Sequence, residues 1–394
     1  MQTSKGKLTK DKKMLFEEKV TPLISLPDAR LSEGITYIKE YSRYYWVDIF
    51  KAMIYSAPVH NPSTDVLSLH ISKDSYALDQ ETQTGFSHSK YAKYPYPDSL
   101  FPERVGVVFP TTNSEHKVLF GGKYGLGVAD LKTKTWYYRI LYSEIQNFTT
   151  GSNIAVDHDW TRMRGNDGNV CPKTSSVYIG VMNDFHVGDC TTEGFVCKIN
   201  LSKSQDTIEC VYEGIRIPNS VNFFQSDIYL TDSLQFQILK ISNGVNLKHW
   251  QHDGNGSHVT QFIDIKAHNK DFESPEPDGS VIINDKAATT GTPTTTTTNP
   301  DNPKLITAVW STSKVQEYSL TTGKLLEEHL VPHAERISCC CVGPLLSEII
   351  ATTASLEVDV RGGEPNKDGS LFKITRTDAP QETQAPSSKK LLSL

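Results

Sequence analysis

Residues 218–233 read PNSVNFFQSDIYLTDS. The apolar and β-branched residues fall into two short runs separated by Gln225 and Ser226, the pattern of two strands joined by a tight turn. Asn219 opens the first run and Asp232 closes the second. Asn and Asp are poor strand formers. At the edges of an apolar hairpin they are either turn residues or side chains aimed at something.

The same layout recurs on both sides. Upstream are YYWVDIFKAMIY from Tyr44, KVLFGGKYGLGVADL from Lys117 and SVYIGVMND followed by GFVCKIN from Ser176. The opening stretch itself runs on as DIYLTDSLQFQILKI from Asp227, and downstream are KLITAVWSTSKVQEYSL from Lys304 and EIIATTA followed by GSLFKI from Glu348. These are six copies of one unit, beginning near 44, 117, 176, 227, 304 and 348. Irregular spacing around a four-strand unit points to propeller blades. A large β-sandwich or two β domains fit the periodicity as alternatives. No long segment carries a 3.6-residue apolar period, so almost no helix is expected. The unit boundaries predict a single all-β domain over 16–377, with disordered polar tails at 1–15 and 378–394. Residues 58–104 are a polar excursion with one outer hairpin. Residues 287–303, AATTGTPTTTTTNPDNP, have no apolar face to bury and read as an expanded hairpin loop.

Bulk properties narrow the function. The chain has 394 residues, 37% hydrophobic, with a formal net charge of −6. That charge argues against nucleic acid and anionic membrane surfaces, and no apolar run is long enough to span a bilayer. The N-terminal MQTSKGKLTKDKK lacks the apolar core of a secretory signal, which predicts a cytoplasmic protein, with the nucleus as an alternative. The seven cysteines include no CxxC pair, so reduced, buried thiols are expected. No GxSxG is present, which excludes the common serine-hydrolase elbow.

In several units a short polar motif precedes the expected inner strand by roughly ten residues. These are Glu33-Gly34, the RGNDG run Arg164–Gly168, Pro218-Asn219, Glu276-Pro277-Asp278-Gly279 and Ile337-Ser338-Cys339. Singly, each is an ordinary turn or loop. In a propeller, however, equivalent ends of the inner strands face one another around a channel. Glu, Asn and Asp arriving from separate blades form an all-oxygen site, suited to Ca²⁺, Mg²⁺ or Mn²⁺, with Zn²⁺ tolerated.

Taken together, SEGITY with YYWVDIFKAMIY, RGNDG with VYIGVM, PNSVNFFQSDIYLTDS, PDG, and ISCCCVGP with EIIATTA and GSLFKI resemble the regucalcin (senescence marker protein) and gluconolactonase family, in the family's order, over roughly 31–374. The resemblance implies a six-bladed β-propeller with a central site for one divalent metal, and hydrolysis of sugar lactones. By motif it implies metal ligands Glu33, Asn219 and Asp278, a substrate-binding pair Arg164 and Asn166, and Asp232 as support beside the metal. Family members hold substrate with an acid shortly after the GVM-like segment. Here the direct counterpart is Phe185, with Asp184 one place off, so Asp184 is the candidate substrate-binding acid.

Lactone opening needs a polarised carbonyl and a base for the attacking water. Asp278 is the expected base, with Glu33 as alternative. The partner expected is a small sugar lactone, with no nucleic acid or membrane, and the chain is expected to be a monomer or weak homodimer. A non-catalytic propeller binding calcium or a protein partner is the alternative. The WD-repeat kind is disfavoured because repeated GH and WD signatures are absent.

Overall fold

The computed structural model describes residues 20–26, 28–76, 102–148, 159–250, 258–284, 303–332, 334–355, 369–377 and 379–393. They form six four-stranded antiparallel sheets. The first strand, β1 (Val20–Ile24), belongs to the last sheet. Blade one is β2 (Ser32–Ile38), β3 (Arg43–Asp48), β4 (Met53–Pro58) and β5 (Leu67–His70). Blade two is β6 (Val105–Pro110), β7 (Lys117–Gly122), β8 (Gly125–Asp130) and β9 (Thr135–Leu141). Blade three is β10 (Met163–Val170), β11 (Val177–Asn183), β12 (Gly194–Asn200) and β13 (Thr207–Ile215). Blade four is β14 (Pro218–Phe224), β15 (Asp227–Asp232), β16 (Gln237–Ile241) and β17 (Val259–Asp264). Blade five is β18 (Pro277–Ile283), β19 (Lys304–Val309), β20 (Lys314–Ser319) and β21 (Leu325–Leu330). Blade six is β22 (Ile337–Val342), β23 (Glu348–Thr353) and β24 (Leu371–Thr375), completed by β1 pairing with β24.

β2, β6, β10, β14, β18 and β22 contact one another in a closed ring, so they are the innermost strands of a six-bladed β-propeller. The core lies between blades. Tyr45, Val47 and Ile54 of blade one, for example, pack with Val108, Phe120 and Trp136 of blade two. Helix among the described residues is limited to Ile265–His268 and isolated 3-10 turns.

Two expectations are corrected. The unit starts near 44, 117, 176, 227, 304 and 348 fall on the second strand of each blade, while the polar motifs lie on the innermost strands. The second strands are buried on both faces and therefore read as strong β text. The innermost strands carry Gly, Asn and Asp, which dilute that text. The second correction concerns the tail expected to be disordered from 378. Residues 379–393 are laid across the propeller: Leu345 bridges Gln384, Ser388 N–H donates to Tyr37 O at 2.8 Å, and Thr112 N–H donates to Leu392 O at 2.8 Å. Ala385 and Leu392 are buried. Backbone hydrogen bonds to strand ends hold this segment, and composition does not register them. The 1–15 tail and residues 287–302 of the Thr-rich tract lie outside the described residues.

Candidate metal and substrate site

Every innermost strand breaks register near its N-terminal end. The shifts fall between Glu33 and Thr36, Val105 and Val107, Gly165 and Gly168, Pro218 and Val221, Pro277 and Ser280, and Ile337 and Cys339. In blades three, four and five, two residues oppose one at this point: Asn166-Asp167, Asn219-Ser220 and Asp278-Gly279. A bulge leaves its extra residue out of the ladder and re-aims its side chain. Asn166, Asn219 and Asp278 thus occupy the same bulge position in successive blades. Glu33 lies immediately before the blade-one bulge, where Gly34 adopts a left-handed φ of 61° that favours glycine. Gly106, at the blade-two bulge, lies so close to blade three that a Cβ would fall 2.0 Å from Asn166 O.

All of these polar side chains are buried at one end of the channel. Asn219 Nδ2 donates to Asp278 Oδ1 and to Ser233 Oγ at 3.3 Å. Asn219 Oδ1 is buried with no hydrogen-bond partner. Glu33 Oε2 accepts from the Gly34 N–H at 3.0 Å. Burial pushes the Glu33 carboxyl well above the ordinary range, and the charges of Asp278 and Asp167 push it further. Burial does the same to Asp278; the Asn219 hydrogen bond opposes it, while Asp167 and Glu276 reinforce it. Three carboxylates and an orphaned amide oxygen, crowded and desolvated, constitute a deficit of positive charge. That donor set fits a hard divalent cation.

Arg164 is held beside them. Its Nη1 donates to Asn166 Oδ1 at 2.8 Å and to Gly165 O at 3.1 Å, while its buried Nε has no partner. Asn166 Nδ2 donates to Pro218 O at 3.1 Å, tying blade three to blade four. Asp184 sits behind this group rather than open to solvent. It is 1% exposed, accepts from Lys123 Nζ at 2.9 Å and lies 3.4 Å from Arg104 Nε. Burial raises Asp184, but Lys123, Arg164 and Arg104 outweigh it and hold the carboxyl below its usual value. Phe185, by contrast, is 48% exposed, and its ring centroid lies 6.0 Å from the Arg164 guanidinium carbon. Asp232 pairs in register with Pro218, next to Asn219. Its Oδ2 accepts from Gln237 Nε2 at 3.5 Å, its Oδ1 has no partner, and burial lifts its carboxyl to about 6.

Three participants escaped the sequence reading. Asp167 lay inside the RGNDG motif but read as a turn residue; its Oδ2 accepts from Ser220 Oγ at 2.9 Å. Arg104 and Lys123 of blade two carry no local motif, and only the closing of the ring delivers them to Asp184.

The comparisons with known proteins agree with the propeller fold. The family model describing the SMP-30/gluconolactonase/LRE-like region matches residues 31–355. The chain is 35% identical over 367 residues to an uncharacterized protein of Saccharomyces cerevisiae, covering 90% of each chain. Among solved structures it superposes on a luciferin-regenerating enzyme (TM-score 0.61, 14% identity, covering 95% and 99% of the two chains). It also superposes on a calcium-binding protein, regucalcin, of Agrobacterium tumefaciens (TM-score 0.59, 17% identity, covering 95% and 94%). A propeller of this closure, matched over most of its length by that family model, belongs to the SMP-30/gluconolactonase/LRE-like family.

Proposed function

We propose that the chain is a lactone hydrolase working in the cytoplasm with one divalent cation, held at the channel end by Glu33, Asn219 and Asp278. The observation that carries this reading is the buried, partnerless Asn219 Oδ1 among carboxylates whose proton affinity is raised by burial and then by one another's charge. A bound cation supplies Lewis-acid polarisation of the lactone carbonyl. Asp278, oriented by the Asn219 amide, takes the proton of the attacking water on its carboxylate and returns one to the ring oxygen as the ester bond opens. Arg164 presents its spare N–H donors to the substrate's oxygens. Asn166 contributes by fixing Arg164, since both ends of its amide are already engaged. Asp184 anchors Lys123 and Arg104 behind the site.

A second reading, a cation-binding propeller without turnover, draws on Phe185, which puts an exposed ring where the family pattern has an acid. One experiment separates the two. Chelated protein is reloaded with Ca²⁺, Mg²⁺, Mn²⁺ or Zn²⁺ and assayed on a panel of aldonolactones. Hydrolysis is expected to vanish on chelation, to return with at least one ion, and to fall on the order of 10²–10³-fold in Asp278→Asn at unchanged circular dichroism. Full activity after exhaustive chelation overturns cation dependence. Calorimetric cation binding with no turnover of any lactone selects the second reading.

A further inference from the structure

A second side-chain cluster lies far out on the blades, away from the channel. In β13, Cys210 pairs with Cys197 and Tyr212 with Val196, so Val211 is an extra residue. On a regular strand, residues three apart point to opposite faces. The bulge at Val211 resets the alternation, and Cys210 and Glu213 come to share a face. The Val211 carbonyl accepts from Trp250 N–H at 2.9 Å. This bond docks the turn that follows Gly244–Asn246 of blade four against the bulge and brings His249 alongside. Cys210 Sγ, a Glu213 carboxylate oxygen and a His249 ring nitrogen then all lie within 4.8 Å of one another. His249 Nε2 is 3.6 Å from Glu213 Oε1. All three residues are buried. The backbone of Cys210 is clamped on both sides, donating to Asn147 Oδ1 at 2.9 Å and accepting from Asn147 Nδ2 at 3.1 Å.

We propose that Cys210, Glu213 and His249 form a binding site for one borderline-soft divalent cation of the zinc type, linking blades three and four. Thiolate, imidazole and carboxylate are the donor types zinc selects, whereas calcium and magnesium take oxygen only. Ligand atoms on a tetrahedral zinc stand about 3.5 Å apart for bond lengths near 2.0–2.3 Å, so a small contraction of the cluster completes three corners. The fourth is left to water or another ligand. Binding transfers the Cys210 thiol proton to solvent and replaces it with the cation. Among the described residues a second cluster, Glu317, Glu327 and His329, has no thiol and is a poorer host. Arg376 and Lys304 already neutralise Glu317, at 2.6 Å and 3.1 Å.

The test is a Co²⁺ titration of the chelated full chain, followed by absorption. The expected result is a thiolate-to-cobalt charge-transfer band that saturates at one equivalent and is bleached by Zn²⁺. It should be lost in Cys210→Ser and His249→Gln and retained in Asp278→Asn. The channel site offers only oxygen donors and gives no such band, so failure here is distinguishable from failure of the lactonase reading. A wild-type protein without the band, or a band unchanged in Cys210→Ser, overturns the proposal. Should Cys210→Ser not fold, Glu213→Gln and the thermal shift replace it. Zn²⁺ is expected to raise the wild-type Tm further than that of His249→Gln, in which only the channel site is left to bind it. An equal rise in both overturns the site.

Discussion

The two ends of the channel are built from the same six strands, yet they satisfy their polar groups differently. At the end where the inner strands begin, Asn219 Oδ1, Asp232 Oδ1 and Arg164 Nε are buried without partners. At the end where the strands stop, residues 379–393 supply the partners. Ser388 Oγ donates to Val342 O at 3.2 Å, and Lys390 Nζ donates to Pro172 O at 3.0 Å and to Ser175 Oγ at 2.8 Å. The root of that segment is Arg376, fully buried, whose Nε and Nη2 reach Glu317 at 2.6 and 3.0 Å. Glu317 also accepts from Lys304 Nζ at 3.1 Å and contacts His329 Nε2 at 2.8 Å. Burial raises Glu317, but His329 and Arg376 outweigh it and hold the carboxyl at about 2. Glu33 and Asp278, also buried, move the opposite way. Burial alone therefore does not separate a functional carboxylate from a structural one; the partners do. Paired charge serves stability, and unpaired charge waits for a ligand.

Four substitutions or deletions probe this contrast. The largest effect is expected from Glu317→Gln, which strands the Arg376 guanidinium. Unfolding stability should drop by about 3–5 kcal/mol, the usual cost of breaking a buried pair, measured by denaturant titration. The sign with pH follows from Glu317 titrating at about 2 in the fold against 4.5 unfolded. Its contribution is complete above pH 4.5 and disappears as the pH falls toward 2, so the variant's acid-unfolding profile should be flatter in that window. Next is removal of residues 378–394. Exposing the seats of Ala385 and Leu392 should cost about 2 kcal/mol or more, while kcat/KM on a responsive lactone changes less than about threefold. A large activity loss in the truncated chain would merge the two ends into one site. A smaller effect is expected from Asn166→Ala, which frees Arg164. KM should rise about tenfold, the loss of one charge-assisted hydrogen bond, with cation affinity by calorimetry unchanged. A lost cation with intact KM would reassign Asn166. The smallest concerns Lys389, the exception at the closed end. Its ammonium is buried without a hydrogen-bond partner and lies 5.1 Å from the Phe109 ring centroid. It lines a cavity of ≈ 20 Å³ together with Asp167 and Asn222. Lys389→Met should stabilise the fold by about 1 kcal/mol, read as a Tm increase. Destabilisation would mean that the ammonium balances the carboxylates above it.

How much of this was legible depended on where the physics is local. Tyr44–Ile49, Val177–Met182 and Asp227–Leu230 announce themselves because a twice-buried strand is a run of apolar β formers. Asn219 and Asp278 were legible as polar residues in phase with those runs because one bulge position repeats from blade to blade, and Glu33 stands one residue before it. Gly106 hid the innermost strand of blade two, since close approach to Asn166 forbids the side chain that would have marked it. Lys123 and Arg104 were illegible because their partner Asp184 comes from another blade, 61 residues on from Lys123. The segment 379–393 was illegible because it is held by backbone hydrogen bonds, which any sequence can make, and by scattered Ser, Gln and Lys side chains that form no motif. The bulge at Val211 was illegible for the same reason; it is visible only in the register.

The pairing of β1 with β24 carries a consequence for the protein's birth. β1, the outer edge of the sixth sheet, precedes blades one to five in the chain, and its partner, Leu371–Thr375, follows them, so five blades are made between the two strands. Five blades are assembled from contiguous chain and can form in turn during synthesis. The sixth stays one strand short, with a bare edge on β24, until β1 and β24 meet. Closure is therefore a late, long-range step, slow by the entropy of so large a loop. Until it occurs the nascent chain exposes an unpaired strand edge, which is the interval in which a chaperone, or a neighbouring chain, can reach it.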